Sequence, residues 1–374
     1  MKIVYLTTES LYGEINSGSL KCSFSNFNML RSIAEDDIYH IYLDKKEKCQ
    51  TDEKKAGFER VDDRKGKLLL SFFNRRFMHL ADEKKVEEII IKYEPDIVFY
   101  EGPYWAYVIR KLKQKKINAV FVLFMHNVEK NYYKDLLNGS VVNKILYKVT
   151  CKCEQLSVVC ADHIICLNER DNIQLKNEYQ CNADLILPIN LKDQFELERV
   201  KNDKNKHTLL FVGSLFPPNY DGIRWFIKNV MDYLEEYKLV IVGKGFEKVS
   251  GELQKENVKV IGSVDDLGNM YYSYPVLVMP IQYGSGMKVK TAEALMYGKT
   301  IIGTKEAFEG YGLEDVEGIY ECETALDFQR TIKEVFSNDR YLKTQNNVRE
   351  IFLNNFETNC LTNKLKEALL NWMH

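Results

Sequence analysis

The sequence predicts an α/β protein built from two Rossmann-like domains facing each other across a cleft. Three observations predict it. The chain has 374 residues, more than one ordinary hydrophobic core serves, so two domains are expected. Short β-branched runs alternate with helix-length periodic segments along almost the whole chain, and several runs are nearly all apolar, as strands buried on both faces of a parallel sheet are. The alternation breaks once, at a charged, aperiodic stretch over 193–207 (DQFELERVKNDKNKH). The chain therefore divides into an N-terminal domain over 1–192, a linker over 193–207, a second domain over 208–355 and a closing helix over 356–374 that packs back on the first domain.

The elements follow in order. Before the linker, strands are expected at 3–7, 40–43, 96–100, 119–125, 163–167 and 184–187. Helices are expected at 84–92 (KKVEEIIIK), stopped by Pro95, and at 104–115. After it come a strand at 208–212, a helix at 221–236 capped by Asp221, strands at 239–242, 258–261 and 276–280, a helix at 291–297, strands at 300–303 and 318–321, and helices from 324 onward. Open α/β sheets bind ligands at the carboxyl ends of their strands, which makes the cleft between the domains the default site.

Bulk properties exclude several classes. Apolar residues make up 45% and charged residues 28% of the chain, the balance of a soluble globular protein. No run of eighteen apolar residues exists to span a bilayer. The opening MKIVYLTT reads as a first strand and not as a signal peptide, so a cytoplasmic protein is expected. Nine cysteines include the crowded Cys151, Cys153, Cys160, Cys166 and Cys181. Their C-x-C and C-x5-C spacings do not match paired zinc ligands, so reduced thiols and no metal are expected.

A net charge of −2 argues against nucleic acid as a partner. The charge is uneven, however: residues 101–160 hold ten Lys/Arg against four acids. Near 64–78 an apolar core (LLLSFF) is flanked by Arg64, Lys65, Lys67, Arg75 and Arg76. That stretch reads either as an amphipathic helix packed on the sheet or as peripheral contact with the inner face of an anionic membrane.

Chemistry concentrates in the second half. The strand at 208–212 runs into Gly213 and Ser214, and the strand at 239–242 into Gly243-Lys244-Gly245. Glycines there allow close backbone approach to a ligand, although glycine after a parallel strand is often only a turn. The densest segment is PIQYGSGMKVKTAEALMYGKTIIGT. A strand delivers Gly284-Ser285-Gly286 into a helix start at Met287-Lys288-Val289-Lys290, with Glu293 inside the helix. Exposed amides at a helix N-terminus together with lysines suit a diphosphate, while a carboxylate beside them suits hydroxyl donors such as a ribose. The plainer reading makes the lysines a solvated face and Glu293 their partner. In the first half, His126 stands at the carboxyl end of the strand at 119–125 and is followed by Asn127-Val128-Glu129; a single histidine there is either structural or functional.

The stretches FVGSLFPPNYDGIRWF, LVIVGKG, NVKVIGSVDDL and GSGMKVKTAEALMYGKTIIGTKEAFEG resemble the donor domain of glycosyltransferase family 4, the group 1 retaining enzymes of the GT-B fold. HNVEKNYY and ADHIICLNERD resemble its N-terminal domain, so the resemblance covers most of the chain. It implies a retaining transferase that moves a sugar from a nucleotide-diphosphate donor to a hydroxyl of a glycan, lipid-linked or other acceptor, in bacterial surface polysaccharide or glycoconjugate assembly, with no cofactor and no metal.

The resemblance also implies site residues. His126 lies near the transferred sugar, Glu293 holds the ribose, and Lys288, Lys290 and the amides of Met287 and Lys288 neutralise the diphosphate, with His126, Glu293 and Lys290 named as catalytic. Gly213, Ser214, Gly243, Lys244, Val264, Gly284, Ser285, Gly286 and Val289 complete the donor side, and Gly18 and Glu129 belong to the acceptor side. Two departures stand out. Ser285 replaces the family's first glutamate, which contacts sugar hydroxyls, and Ser214 replaces its usual arginine. They keep open a catalytically silent GT-B partner or scaffold subunit. A sugar-nucleotide epimerase of the same fold lacks its expected acidic and histidine pattern here. A dehydrogenase lacks a G-x-G-x-x-G after the first strand.

Overall fold

The computed structural model describes all residues except 14–16, 45–49, 53, 60–76, 136, 138, 139, 201–206, 285 and 338. Two compact units emerge: 1–188 together with 361–374, and 189–360.

The first unit is built on an eight-stranded sheet. Its strands are β1 (Ile3–Thr7), β2 (Ile38–Asp44), β3 (Gln50–Asp52), β4 (Lys55–Glu59), β5 (Ile97–Glu101), β6 (Val120–Met125), β7 (His163–Cys166) and β8 (Leu185–Ile186). Their order is β3-β4-β2-β1-β5-β6-β7-β8. Every pairing is parallel except β3 with β4. The order reverses at β1, which lies between β2 and β5, so the switch point of this sheet opens beside the carboxyl end of β1. The strands at its centre are buried, β1 and β5 along their full length, and apolar except for Thr7 and Glu101 at their ends.

The sequence did not predict β3 and β4. Their segments, QTD and KAGFE, are short and carry no apolar run to mark them, although Ala56, Gly57 and Phe58 of β4 are buried.

The second unit holds six parallel strands: β9 (Thr208–Val212), β10 (Lys238–Val242), β11 (Val258–Gly262), β12 (Val276–Met279), β13 (Thr300–Gly303) and β14 (Ile319–Glu321). Their order is β11-β10-β9-β12-β13-β14, with the switch between β9 and β12. A core of Leu209, Phe211, Phe226, Ile241, Val278, Ile302 and Phe328 packs the helices onto this sheet.

The helix after β9 differs from expectation. It spans Pro217–Asn229, and Asp221 does not cap it. Two prolines in the first turn preset φ and lack the N–H groups that have no helical partner there anyway, so the helix starts four residues early. Asp221 accepts the Tyr283 hydroxyl from the loop after β12 instead. One turn in, Gly222 brings the helix onto the end of β12, where a Cβ would lie 2.2 Å from the Pro280 carbonyl oxygen.

Part of the stretch expected as linker is engaged with the second unit. Asp193 pairs with Arg349, 2.5 Å away, and the Glu196 amide donates to the Tyr272 hydroxyl. Residues 201–206 of that stretch lie outside the described residues. The closing helix, Thr358–Trp372, buries Leu361, Leu365 and Leu369. From Leu361 onward it groups with the first unit, where Lys364 donates to the Ile186 carbonyl and Trp372 stacks on His163 at 4.3 Å.

Candidate functional site

In the second unit, three loops at the carboxyl ends of adjacent strands are stitched together through backbone bonds. The Gly213 amide donates to the Val242 carbonyl, the Leu215 amide to Lys244, and the Gly243 amide to Gly262. The close approach leaves no room for side chains. A Cβ at Gly243 would fall 1.7 Å from the Gly213 carbonyl oxygen, so glycine at this position is a steric requirement of the loop pair. Ser214 and Lys244 are exposed on these loops, and the Ser214 carbonyl accepts Asn219 Nδ2 at 2.8 Å. Val264 follows β11, one strand further out and half-buried.

The loop after β12 brings its lysines to the same edge. The helix it feeds spans Val289–Met296; Lys288 occupies its N-cap position and makes no side-chain capping bond. Gly284 and Gly286 adopt positive φ, Met287 is buried and Val289 is half-buried. Ser285 lies outside the described residues.

The two lysines differ sharply. Lys288 Nζ is tied to Glu306 Oε1 at 2.7 Å and to the Gly286 carbonyl at 2.8 Å. Lys290 reaches across to β9: it donates to Asn219 Oδ1, lies over the Phe211 ring at 4.8 Å and would be 3.1 Å from a Cβ at Gly213. Burial, reinforced by the charge of Lys288 and opposed by Glu293, brings the Lys290 ammonium down to about 7. A lysine whose charge is suppressed by its surroundings gains most when an anion arrives. Lys288 already has its carboxylate.

Glu293 sits three residues past Lys290, on the same side of the helix. Its Oε2 accepts the Tyr271 hydroxyl at 3.0 Å, and Tyr271 is itself buried and stacked on Tyr297 at 4.7 Å. The sequence-expected donor residues Gly213, Gly243, Gly284, Gly286, Lys288, Lys290 and Glu293 thus gather at one end of one sheet. Sequence reasoning missed Asn219, Glu306 and Tyr271. Asn219 and Glu306 stand inside the quoted motif stretches, but only their meeting with the lysines gives them a role.

In the first unit, His126 stands at the end of β6, and its Nε2 lies 3.1 Å from Glu101 Oε2. Glu101 ends β5 and is completely buried. Its carboxylate also accepts the Tyr5 hydroxyl, Ser23 Oγ at 2.6 Å and Asn26 Nδ2 at 3.2 Å. Burial works against the charged form of both partners. The Glu101 charge outweighs it and holds His126 well above the usual histidine value. Reciprocally His126, with Ser23 and Tyr5, keeps Glu101 below the usual carboxylate range. Glu101 was not anticipated, because an acid closing an apolar strand reads in sequence as the first solvated residue after it.

Gly18 opens the helix Gly18–Ile33, whose N-cap Ser17 accepts the Leu20 amide. That helix carries Ser23 and Asn26 to Glu101, and so connects the Gly18 end to His126. Glu129 begins the helix Glu129–Asp135. The backbone amides of Glu129 and Lys130 donate to the buried Glu154 at 2.7 and 3.1 Å. Burial pushes the Glu154 carboxyl up to about 7, against the Tyr179 hydroxyl bonded to it. One buried acid, Glu101, thus meets His126 at Nε2, and another, Glu154, accepts from the amides that open the helix after it.

Four of the ten basic residues of the stretch 101–160 pair with acids among the described residues. Lys111 pairs with Glu83 and Glu87, Lys115 with Glu87, Lys113 with Asp162 and Lys130 with Glu178. The membrane-contact stretch near 64–78 falls outside the described residues up to 76. Among the described residues, no helix is long and apolar enough to cross a membrane. Also among them, no group of three or more His, Cys, Asp or Glu is placed to hold a metal ion.

Comparison with known proteins places this arrangement. Residues 206–338 match the family model described as Glycosyl transferases group 1. A Klebsiella pneumoniae protein described as "Uncharacterized 44.6 kDa protein in cps region" is 25% identical over 297 residues, covering 75% of this chain and 74% of that one. Among solved structures, sucrose-phosphate synthase from Thermosynechococcus elongatus superposes with a TM-score of 0.75 over 99% of both chains at 12% identity. Anabaena Alr3699/HepE in complex with UDP and glucose superposes with a TM-score of 0.67 over 99% of both chains, also at 12% identity. The chain thus has the two-domain α/β architecture of the GT-B proteins, and residues 206–338 of its second unit are similar to the glycosyl transferases group 1.

Proposed function

We propose that the protein is a retaining glycosyltransferase using a nucleoside-diphosphate sugar, with its donor held by the second unit. One observation carries the reading: Lys290, its charge suppressed by burial, lies against Gly213 where glycine loops and a helix N-terminus meet. Such a place stabilises the diphosphate and favours its departure. The HepE structure, with UDP and glucose bound, supports a donor of this class.

In the reaction, the bond from the anomeric carbon to the diphosphate oxygen breaks. A bond to the acceptor hydroxyl oxygen forms on the same face, and the hydroxyl proton leaves with the diphosphate. Lys290 and the amides of the loop after β12 take up the developing negative charge, so no metal is required. Glu293, steadied by Tyr271, accepts from ribose hydroxyls. His126, by the family resemblance, contacts the reacting sugar, and Gly18 and Glu129 serve the acceptor side. The acceptor is a hydroxyl of a glycan or lipid-linked glycan, and the Klebsiella relative from a cps region favours surface polysaccharide assembly at the cytoplasmic face of the membrane.

The test is a panel of nucleotide sugars offered to the full chain, with and without EDTA, reading binding and slow donor hydrolysis. At least one donor binds and hydrolyses unchanged by EDTA, and Lys290→Ala or Glu293→Ala weakens its binding by tenfold or more, about 1.4 kcal/mol. Product from an accepted pair keeps the anomeric configuration of the donor by NMR. If no nucleotide sugar binds, the reading falls. Binding with no turnover on any acceptor replaces it with the silent-partner reading.

A further inference from the structure

The pair formed by Glu101 and His126 has a consequence beyond donor binding. A completely buried carboxylate is expensive unless charge and hydrogen bonds compensate it. The hydrogen bonds come from three side chains: Tyr5 from β1, and Ser23 and Asn26 from the helix Gly18–Ile33. The compensating charge has to come from a neighbour. Among the described residues, the titratable groups facing the pair are Tyr5, Cys22 and His40. Tyr5 and Cys22 can only be neutral or negative. His40 is completely buried, with Thr7 Oγ1 on one ring nitrogen at 2.8 Å and the Tyr12 hydroxyl on the other at 3.1 Å. Thr7 already donates to the Glu9 carbonyl, so its oxygen accepts from His40; complete burial then disfavours a second proton on that ring. Burial, opposed by Glu101, lowers His40 to about 3. Among the described residues, His126 is the group left to supply the cation.

We propose that Glu101 is the positioning residue of His126: its carboxylate, fixed by Tyr5, Ser23 and Asn26, takes the Nε2–H and keeps the ring as an imidazolium in a single orientation. Both ring nitrogens then carry protons, Cys22 being a further hydrogen-bond partner of the ring, and the fixed positive charge stabilises negative charge developing on a substrate oxygen. The ring cannot act as a general base, because it has no vacant lone pair. This deepens the proposed function by assigning His126 electrostatic work in place of proton abstraction, and its use in transfer rests on that reading.

The experiment is a pH titration of the full chain labelled with 15N-histidine, with the His126 signal assigned by its loss in His126→Gln. In the unsubstituted protein His126 keeps the doubly protonated signature at pH values where an ordinary histidine has already lost it. In Glu101→Gln its midpoint falls by about 1–3 pH units, the usual effect of removing an adjacent opposite charge. Turnover by Glu101→Gln then falls at the alkaline end of the profile first, with KM for the donor little changed.

A midpoint near 6.5 or below in the unsubstituted protein overturns the proposal, as does an unmoved midpoint in Glu101→Gln. Should Glu101→Gln fail to fold, the unsubstituted titration alone decides. The spectroscopic result is independent of the donor panel, so failure of the transferase reading and failure of this one remain distinguishable.

Discussion

Lys290 and Lys288 are two residues apart and chemically opposite. Lys288 has the Glu306 carboxylate at 2.7 Å, whereas Lys290 lies between Asn219, the Phe211 ring and a second positive charge. In sequence the two look interchangeable, since alternating lysines at a helix start say nothing about which one meets an acid 18 residues later. The sign of the resulting pH effect follows from linkage. Free Lys290 loses its proton through about pH 7, whereas a bound diphosphate favours the charged form and raises that value. Donor affinity is therefore full below pH 7 and falls as pH rises above it, by up to about tenfold per unit until the bound-state value is passed. Calorimetry between pH 6 and 9 checks this, together with proton uptake seen as a buffer-dependent heat. Lys290→Met binds weakly with a flat profile, and a flat profile in the unsubstituted protein contradicts the assignment.

At the scale of elements, the parallel strands were legible because burial on both faces forces near-continuous apolar runs. β9 is predicted residue for residue, and β10 to β14 fall within one residue at either end. The elements that sequence misplaced obey other constraints: β3 and β4 sit on an edge, and the helix after β9 is set by its prolines. The glycine loops were legible as places of close approach, but what approaches was not. At Gly243 it is another loop, not only a ligand, since the Gly213 carbonyl occupies the space of a Cβ. Gly243→Ala therefore forces the loops after β9 and β10 apart. The expected cost is more than about 2 kcal/mol in denaturant unfolding, together with loss of nucleotide binding even where the variant remains folded. Gly251→Ala is the control, because nothing lies within 4 Å of a Cβ there; it leaves both properties nearly unchanged.

Across the whole molecule, the chain's order and the units' composition differ at one point: the first unit takes back residues 361–374 after the second is complete. The closing helix was readable from its periodicity, whereas its ties to β7 and β8 depend on contacts almost two hundred residues apart. Leu361, Leu365 and Leu369 are buried on it, Trp372 stacks flat on His163 at 4.3 Å, and Lys364 closes on the Ile186 carbonyl at 2.9 Å. Each buried leucine contributes roughly 1.5–3 kcal/mol as an upper estimate, against which the helix must offset its own ordering entropy. Removing 361–374 is thus expected to destabilise the first unit by several kcal/mol while leaving the second unit's core, centred on Phe211, Phe226 and Phe328, intact. Hydrogen exchange on the truncated chain reads the two units separately. Protection falls in β6, β7 and β8 and persists in β9, β10 and β12, and nucleotide binding by the second unit survives. Equal loss of protection in both units would mean that the helix stabilises the molecule as one cooperative body, and not the first unit alone.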